Sequence, residues 1–319
     1  MDLEFDTHQS ELRRSVRAML DKECPISLVR AVVESHASSS GLWKQMVELS
    51  WPGLTVPEEH GGVGLGVVDL AVVLEEVGRV VAPGPFLPTA TQFLPAVREA
   101  ATPEQAKRYM SAIAAGALTG TLAVVDGGGW GVGDVEMLAV PDGDDWIIDG
   151  TKRHVVEAGA VDEIVVAARL PDTRDDQGIC LFVVPRSDVT ITPLKALDAS
   201  RQLATVRLDR LRVPPDRSLG RAGAQGAALR RAVEEATLGI ALETLGACQS
   251  ILDIALEHSK SRHQFGVPIG SFQAMKHKFA DMLVVLERGR ALAYLATGAI
   301  AEDDRDRTVL VSAAKAAVD

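Results

Sequence analysis

The sequence predicts an α+β fold in which a central antiparallel β-barrel separates two helical domains along the chain. Three observations lead to this prediction. Apolar residues recur at helical spacing up to about position 117, short β-branched segments follow up to about Val213, and helical spacing returns from Gly226. We therefore expect an N-terminal helical domain over 1–117, the barrel over 118–215 and a C-terminal helical domain over 216–319.

The N-terminal region contains predicted helices separated by breaks rich in proline and glycine. The first helix is expected to end at Pro25, because proline cannot continue the helical hydrogen bonds. The segment 51–62 carries two prolines and three glycines and is therefore predicted to be a loop. Val67–Val81 has one apolar face and fits a buried helix, and Thr102 before Pro103 is a typical start of the next helix.

The central region contains short segments with turn residues between them, which is typical of an antiparallel barrel or sandwich. Asp149 and Gly150 form a strong turn signal and are expected to close a hairpin. The run Gly127–Gly129 either cradles a phosphate or forms a flexible turn; the turn is favoured, because no Lys-Ser/Thr pair and no helix start follows. The predicted strands lie at 122–125, 136–140, 146–149, 163–168, 179–184, 189–192 and 204–208.

The C-terminal region is predicted to form two long helices and the beginning of a third. Apolar residues keep a three- and four-residue spacing from Gly226 over about thirty residues. The second helix is expected to run from Ser271, its N-cap, to Thr297, with Gly298 as the stop. The third has no stop signal before Asp319, so this domain is expected to be incomplete.

Composition and charge exclude several classes of function. The 319-residue chain is 47% hydrophobic and has a formal net charge of −11, which argues against a nucleic-acid or anionic-membrane partner. No uninterrupted apolar run reaches the roughly eighteen residues of a membrane span, and the acidic start Met1-Asp-Leu-Glu4 is unlike a secretory signal. We therefore expect a cytoplasmic protein without a membrane partner.

The cysteines and histidines predict neither a disulfide nor a metal site. Cys24, Cys180 and Cys248 are far apart, odd in number and without a Cys-x-x-Cys pair, which is typical of reduced, buried thiols. The seven histidines form no His-x-x-x-His pair and no His/Cys cluster with ligand spacing.

The segment Arg262–Gln273 contains more charged, amide and aromatic side chains than a connection between helices needs. Its order is Arg-His-Gln-Phe-Gly-Val-Pro-Ile-Gly-Ser-Phe-Gln. Arg262 presents several donors in one plane, which suits phosphate oxygens. Gly266 and Pro268 are expected to break the helix, which places the residues before them at an exposed corner. The alternative is an ordinary turn between helices with a surface arginine.

This order resembles the signature Arg-x-Gln-Phe-Gly-x-Pro-Ile-x-x-Phe-Gln of the acyl-CoA dehydrogenase family. The loop Gly53–Gly62 is similar to a second family motif, and a β-domain lies between two helical domains in the family as here. The resemblance implies the family's fold, an FAD cofactor and an acyl-CoA substrate. It also implies that Arg262, Gln264, Phe265 and Gln273 contact the FAD of a neighbouring subunit.

The β-domain departs from the family at the positions that hold the flavin ring. The family's Phe-Ala-Leu-Thr-Glu-Pro segment matches Leu122–Gly127, so Val125 replaces a threonine hydroxyl. The family's Lys-x-Trp-Ile-Thr segment matches Lys152–Val156. Here His154 replaces a tryptophan that packs on the flavin, and Val156 replaces a second hydroxyl. An unpaired buried polar atom costs about 1 to 3 kcal/mol. A conventional flavin site on this chain's own β-domain is therefore not expected.

The catalytic base of the family is also missing from its usual place. Most relatives carry this glutamate after a Gly-Gly-x-Gly segment that has no counterpart up to residue 319. One branch carries it on the long helix, and counting back from Arg262 without gaps gives Ala236. A small helix offset would bring Glu235 into this position, since one residue turns a helix by about 100°. The alternative is that Glu234 and Glu235 form a solvated helix face.

These features predict a subunit of an FAD-dependent acyl-CoA dehydrogenase that forms part of a partner's flavin site. The resemblance to heterotetrameric relatives implies an unlike second subunit that supplies the FAD and the base, with bulky acyl groups such as steroid side chains as substrates. Family resemblance implies electron-transfer flavoprotein as the electron acceptor. The alternatives are a homotetramer in which each chain binds its own FAD, with Glu235 or a residue beyond position 319 as the base, and a silent scaffold without flavin.

Overall fold

The structure, a computed structural model, describes residues 6–35 and 37–318. The acidic start Met1-Asp-Leu-Glu4 and the last residue, Asp319, lie outside these ranges. The α-helices are α1 (Thr7–Glu23), α2 (Ile26–Ser35), α3 (Ser40–Glu48), α4 (Val67–Arg79), α5 (Phe86–Pro88), α6 (Leu94–Ala100), α7 (Pro103–Ala114), α8 (Gly226–Ser261), α9 (Gln273–Ala301) and α10 (Arg307–Val318). The strands are β1 (Gly120–Ala123), β2 (Leu138–Asp142), β3 (Asp145–Val156), β4 (Glu163–Arg169), β5 (Ile179–Pro185), β6 (Thr190–Pro193), β7 (Leu203–Val213), β8 (His263–Gln264) and β9 (Val267–Pro268).

The succession of helices, sheet strands and helices confirms the predicted α+β fold class. Each of the predicted strands has a counterpart among β1 to β7. The chain divides into two compact units, one of residues 1–31, 66–82 and 237–319, and one of residues 32–65 and 83–236. The long helix α8 contributes residues to both. The expected three-domain division stays a prediction.

The central β-domain is a seven-stranded sheet in the order β1-β4-β2-β3-β7-β6, with β5 paired to β4. β1 and β2 both run parallel to β4, so the expectation of antiparallel pairing throughout is wrong at these two places. Parallel neighbours need a long connection between them. The β2–β3 hairpin lies within the connection from β1 to β4 and makes this pairing accessible.

Both faces of β4 and β5 are buried, which explains their uninterrupted apolar sequences. Val165 of β4 and Leu181 of β5 belong to one core cluster, which also contains apolar residues of α6, α7 and α8. Their neighbours Val166 and Phe182 belong to a second cluster. Successive side chains of a strand point to opposite faces. A strand that is covered on both sides is therefore apolar throughout.

In the other unit, α4 packs against α1 and α9, and α10 packs against α9. Two glycines allow α4 and α8 to approach each other closely. A Cβ atom on Gly246 would lie 1.8 Å from the carbonyl oxygen of Glu75, and one on Gly78 would lie 1.9 Å from that of Glu243. Any larger side chain at either position would force the two helices apart.

Two sequence predictions about chain reversals and helix ends are wrong. Asp149 and Gly150 lie inside β3, where the register shifts at Gly150 with φ at 152°. The hairpin turn between β2 and β3 instead contains Gly143, with φ at 65°. Gly298 does not stop α9, which continues to Ala301. Gly298 is buried in this helix, so tertiary packing outweighs its weak helix preference.

Helix α8 is long and apolar enough to cross a membrane, by length and composition alone, within the described part of the chain. This is weak evidence, because the core helix of a globular protein passes the same test and 44% of the apolar stretch of α8 is buried. The expected lack of a membrane partner stays a prediction.

Candidate functional site

The signature segment forms a short β-hairpin between α8 and α9. β8 pairs antiparallel with β9, and Gln264 lies opposite Val267, so Phe265 and Gly266 form the two-residue turn. Both turn residues have positive φ, 55° for Phe265 and 83° for Gly266, as a type I′ turn requires. A bulky residue rarely adopts this conformation. Phe265 is therefore held in a backbone geometry that its local preference opposes.

The side chains of this hairpin face outwards. Phe265 is 92% exposed, and its ring meets that of Phe272 edge to face with centroids 6.2 Å apart. Arg262 and Gln264 are exposed as well. The N–H of Ile269 donates to the carbonyl of Arg262 at 2.8 Å and closes the base of the hairpin. The expected exposed corner is confirmed, whereas contact with FAD stays a prediction.

Gln273, the fourth signature residue, is the exposed first residue of α9. The prediction that Ser271 caps this helix is wrong, because Phe272 occupies the N-cap position. The Ser271 hydroxyl donates instead to the carbonyl of Pro268 at 2.7 Å, since the 3-10 turn Ile269–Ser271 precedes the helix. All four signature residues therefore lie on the hairpin or at the start of the next helix.

An apolar surface covers the neighbouring parts of α8 and α9. Ile251 and Ile254 of α8 and Val284 and Val285 of α9 are 59 to 68% exposed, and we call these four residues the α8–α9 surface. A groove of about 460 Å³ lies between α8, α9 and α10. Its lining includes Leu245, Cys248, Leu252, Met282 and Leu286. Ile251 and Val285 line the same groove, and clustered exposed apolar residues mark protein contacts.

The sheet positions that match the family's flavin contacts lie around a bulge in β3. The pairing of β3 with β7 shifts register between Lys152 and Val155. In this bulge the N–H of Arg153 donates to the carbonyl of Val125 at 2.7 Å. His154, the next residue, has φ at 54°. The bulge therefore brings His154 beside the segment that follows β1.

These residues do not fit a flavin ring in the way that the family resemblance implies. Val125 and Val156 have no side-chain donor, and Val125 is buried. The ring of His154 is stacked against Trp130, with centroids 5.5 Å apart and planes at 26°. The side chain that corresponds to the family's flavin-stacking tryptophan is thus already paired with an indole of the same chain. At these three positions the β-domain therefore lacks the side-chain contacts to a flavin ring that the resemblance implies.

Glu235, the candidate base, is buried in α8 and accepts a hydrogen bond from the Arg98 guanidinium of α6. Arg231 lies one helical turn before it, with Nε 3.7 Å from Oε1. Burial raises the pKa of Glu235, and the charge of Arg98 opposes this rise. The alternative of a solvated helix face is wrong, since Glu234 and Glu235 are 5% and 6% exposed. This part of α8 packs into the core of its unit.

Two regions of the chain match models of one protein family. "Acyl-CoA dehydrogenase, N-terminal domain" matches residues 6–117, and "Acyl-CoA dehydrogenase, C-terminal domain" matches residues 225–319. The chain belongs to the acyl-CoA dehydrogenase family. The second match includes the hairpin and all four signature residues.

Individual acyl-CoA dehydrogenases are similar to this chain over most of its length. The chain is 29% identical to the mitochondrial short-chain specific acyl-CoA dehydrogenase of Bos taurus over 298 residues, which covers 91% of this chain and 72% of that protein. Butyryl-CoA dehydrogenase from Megasphaera elsdenii has a TM-score of 0.89 at 21% identity. The match covers 100% of this chain and 85% of the Megasphaera elsdenii chain. A glutaryl-CoA dehydrogenase from Mycobacterium smegmatis in complex with FADH2 has a TM-score of 0.86 at 23% identity. The match covers 98% of this chain and 81% of the Mycobacterium smegmatis chain. The two structural likenesses show a shared fold.

Two residues at the candidate sites, Trp130 and Arg98, are not singled out by the sequence patterns. Trp130 carries a detectable signal, since it is an aromatic residue inside a run of glycines. Arg98 carries none, because 137 residues separate it from Glu235. For metals, residues 6–35 and 37–318 contain no group of three or more His, Cys, Asp or Glu side chains that could hold an ion.

Proposed function

We propose that this chain is a subunit of an FAD-dependent acyl-CoA dehydrogenase and that its hairpin completes the flavin site of a neighbouring chain. The reaction is the α,β-dehydrogenation of an acyl-CoA thioester to the 2-enoyl-CoA. The proposed contacts to the partner's FAD are Arg262, Gln264, Phe265 and Gln273. One observation carries the proposal: these four residues are exposed, while the chain's own sheet does not fit a flavin ring.

Each hairpin residue has chemistry that suits this role. The guanidinium of Arg262 can donate two parallel hydrogen bonds to a phosphate group. Gln264 and Gln273 each offer an amide donor and acceptor. Phe265 offers an exposed apolar ring on a strained turn, and strained backbone of this kind clusters at ligand clamps.

The proposed partner is an unlike acyl-CoA dehydrogenase subunit that supplies the FAD and the catalytic base. The α8–α9 surface supports a partner, because exposed aliphatic side chains gain stability when another chain covers them. By family resemblance we propose electron-transfer flavoprotein as the electron acceptor, and bulky acyl groups such as steroid side chains as substrates. The proposed location, the cytoplasm, is an inference from the sequence.

The amount of flavin per chain tests the proposal. The chain is purified alone and again after co-expression with an unlike acyl-CoA dehydrogenase of the same organism. We expect a colourless protein alone and, in the complex, one flavin for every two chains. One flavin in every isolated chain would instead support a homotetramer that binds its own FAD. No flavin in either preparation would support the scaffold.

An arginine substitution tests the hairpin itself. Arg262→Ala is expected to weaken FAD binding by the complex by about ten- to a hundredfold, because a charge-assisted hydrogen bond contributes about 1.5 to 3 kcal/mol. Arg14→Ala, at another exposed arginine, is the matched control and should leave FAD binding unchanged. Equal FAD affinity of the Arg262→Ala and unaltered complexes would contradict the assigned role.

A further inference from the structure

Trp130 lies in a glycine-rich loop that is anchored at both ends. At the start, Asp126 Oδ2 accepts hydrogen bonds from two backbone N–H groups just before β2, at 2.7 and 3.2 Å. At the end, Asp134 Oδ2 accepts from the N–H of Gly131 at 2.9 Å. A Cβ atom on Gly129 would lie 2.1 Å from Asp134 Oδ2, so glycine is required for this closure. These contacts fix the chain on both sides of Trp130.

A buried lysine ties the same loop to β3. The Lys152 side chain is fully buried, with Nζ 2.8 Å from Asp126 Oδ1. The ammonium also donates to the carbonyl of Val124 at 2.9 Å. Lys152 lies two residues before His154, at the start of the β3 bulge. The loop with Trp130 and the bulge with His154 are therefore held against each other by a buried charge pair.

The Trp130–His154 stack is set by these two anchored segments. Trp130 is 65% exposed, so burial in a core does not determine its position. His154 has a left-handed backbone, with φ at 54°, which turns its side chain out of the strand's normal alternation. The two rings adopt a nearly parallel arrangement with centroids 5.5 Å apart, within the range of favourable aromatic pairs.

We infer that the Trp130 side chain blocks the position of the flavin ring on this chain's own β-domain, and we call this side chain the plug. The family resemblance assigns residue 154 to the aromatic side chain that packs on the flavin, and here an indole lies on that residue. A flavin ring can pack on the face of residue 154 that the indole covers only after the pair has separated, which weakens flavin binding by about two- to tenfold. The inference rests on the proposed function and deepens it: the site is closed by a side chain in addition to lacking hydrogen-bond donors.

Two variants of the isolated chain, each with several substitutions, test the plug. The first restores the family's residues with Val125→Thr, His154→Trp and Val156→Thr, and the second adds Trp130→Ala. FAD affinity is measured by titration of the purified protein with FAD. We expect the four-site variant to bind FAD about two- to tenfold more tightly than the three-site variant. As a control, Leu197→Ala replaces Trp130→Ala and removes another exposed apolar side chain, which should give no gain.

A second measurement tests the stack without multiple substitutions. His154→Ala should change the tryptophan fluorescence of the chain, and the same substitution in a Trp130→Phe background should not. Unchanged fluorescence in His154→Ala would overturn the inference, as would equal FAD affinities of the three- and four-site variants.

The two proposals fail in different ways. If the unaltered chain lacks flavin but the three-site and four-site variants bind FAD with equal affinity, only the inference about the plug is wrong and the proposed function stands. If the unaltered chain binds FAD by itself, the proposed function fails and the plug fails with it.

Discussion

Glu235 lies in the protein interior with its carboxylate hydrogen-bonded to the guanidinium of Arg98. Helix α6 supplies the arginine and helix α8 the glutamate. A buried charge is strongly destabilising once its partner is removed, whereas replacing both partners by apolar residues is often tolerated. The pair is therefore expected to behave as a coupled unit in folding.

Arg98→Met is expected to lower the free energy of unfolding by about 2 to 4 kcal/mol, because Glu235 loses its main counter-charge. The double variant Arg98→Met/Glu235→Met should be less destabilised than the sum of the two single variants. Urea unfolding of the four proteins gives the coupling free energy. Additive effects would show that the two side chains do not depend on each other.

Glu235→Gln tests whether this residue is the catalytic base. In the assembled enzyme we expect activity per flavin to stay within about twofold, because the proposed base lies on the partner; loss of a general base would reduce the rate about 10²- to 10⁴-fold. Glu234→Gln, at the neighbouring buried glutamate, is the control. A selective loss of that size in Glu235→Gln would assign the base to this chain and favour the homotetramer.

Glu76 is expected to control stability in acid. Its buried carboxylate accepts hydrogen bonds from Arg13, Arg17 and Arg79 at 2.7 to 2.9 Å. Burial alone would raise the pKa of Glu76, but the three guanidiniums lower it from 4.5 to about 2. A pKa lowered by folding stabilises the folded state above the unfolded pKa, and this contribution is lost as pH falls from about 4.5 towards 2.

Glu76→Gln should therefore lower the free energy of unfolding at neutral pH by about 2 to 3 kcal/mol, because three arginines lose their shared counter-charge. The variant should also show a weaker loss of stability between pH 4.5 and 2 than the unaltered chain. Urea unfolding at a series of pH values measures both effects. Parallel pH profiles for the two proteins would contradict the prediction.

Phe265 is expected to destabilise the isolated chain and to contribute to FAD binding in the complex. Phe265→Gly relieves the positive φ and should stabilise the isolated chain by about 1 kcal/mol. Phe265→Ala removes the same ring but keeps the strain, so it should give no such gain. Both variants should retain less flavin in the complex. Thermal unfolding and flavin content together test this, and full flavin retention in both variants would exclude a role for the ring.

The cysteines should differ sharply in reactivity. Cys24 and Cys180 are buried, and burial raises the pKa of each thiol to about 11, so little reactive thiolate exists at neutral pH. The prediction of a buried thiol is wrong for Cys248, which is partly exposed and lines the groove beside the α8–α9 surface. Alkylation followed by mass spectrometry should modify Cys248 first in the isolated chain and much less in the complex. Equal labelling with and without the partner would place the interface elsewhere.

The sequence by itself determined the element types and their order. The apolar, β-branched run of β4 predicts a strand, and Gly266 and Pro268 predict the exposed break in which the hairpin lies. These features depend on residues a few positions apart, because helical and strand periodicity and turn preferences act locally. For the same reason, local sequence was enough to assign the signature residues to an exposed corner.

Only the tertiary structure decided the pairings on which the site depends. Glu235 receives its counter-charge from Arg98, 137 residues away, and Trp130 stacks on His154 because a loop and a bulge are anchored together by Lys152. Gly298 stays helical because its surroundings are packed. No local pattern encodes such contacts, since their free energy arises only when distant segments exclude water from one another.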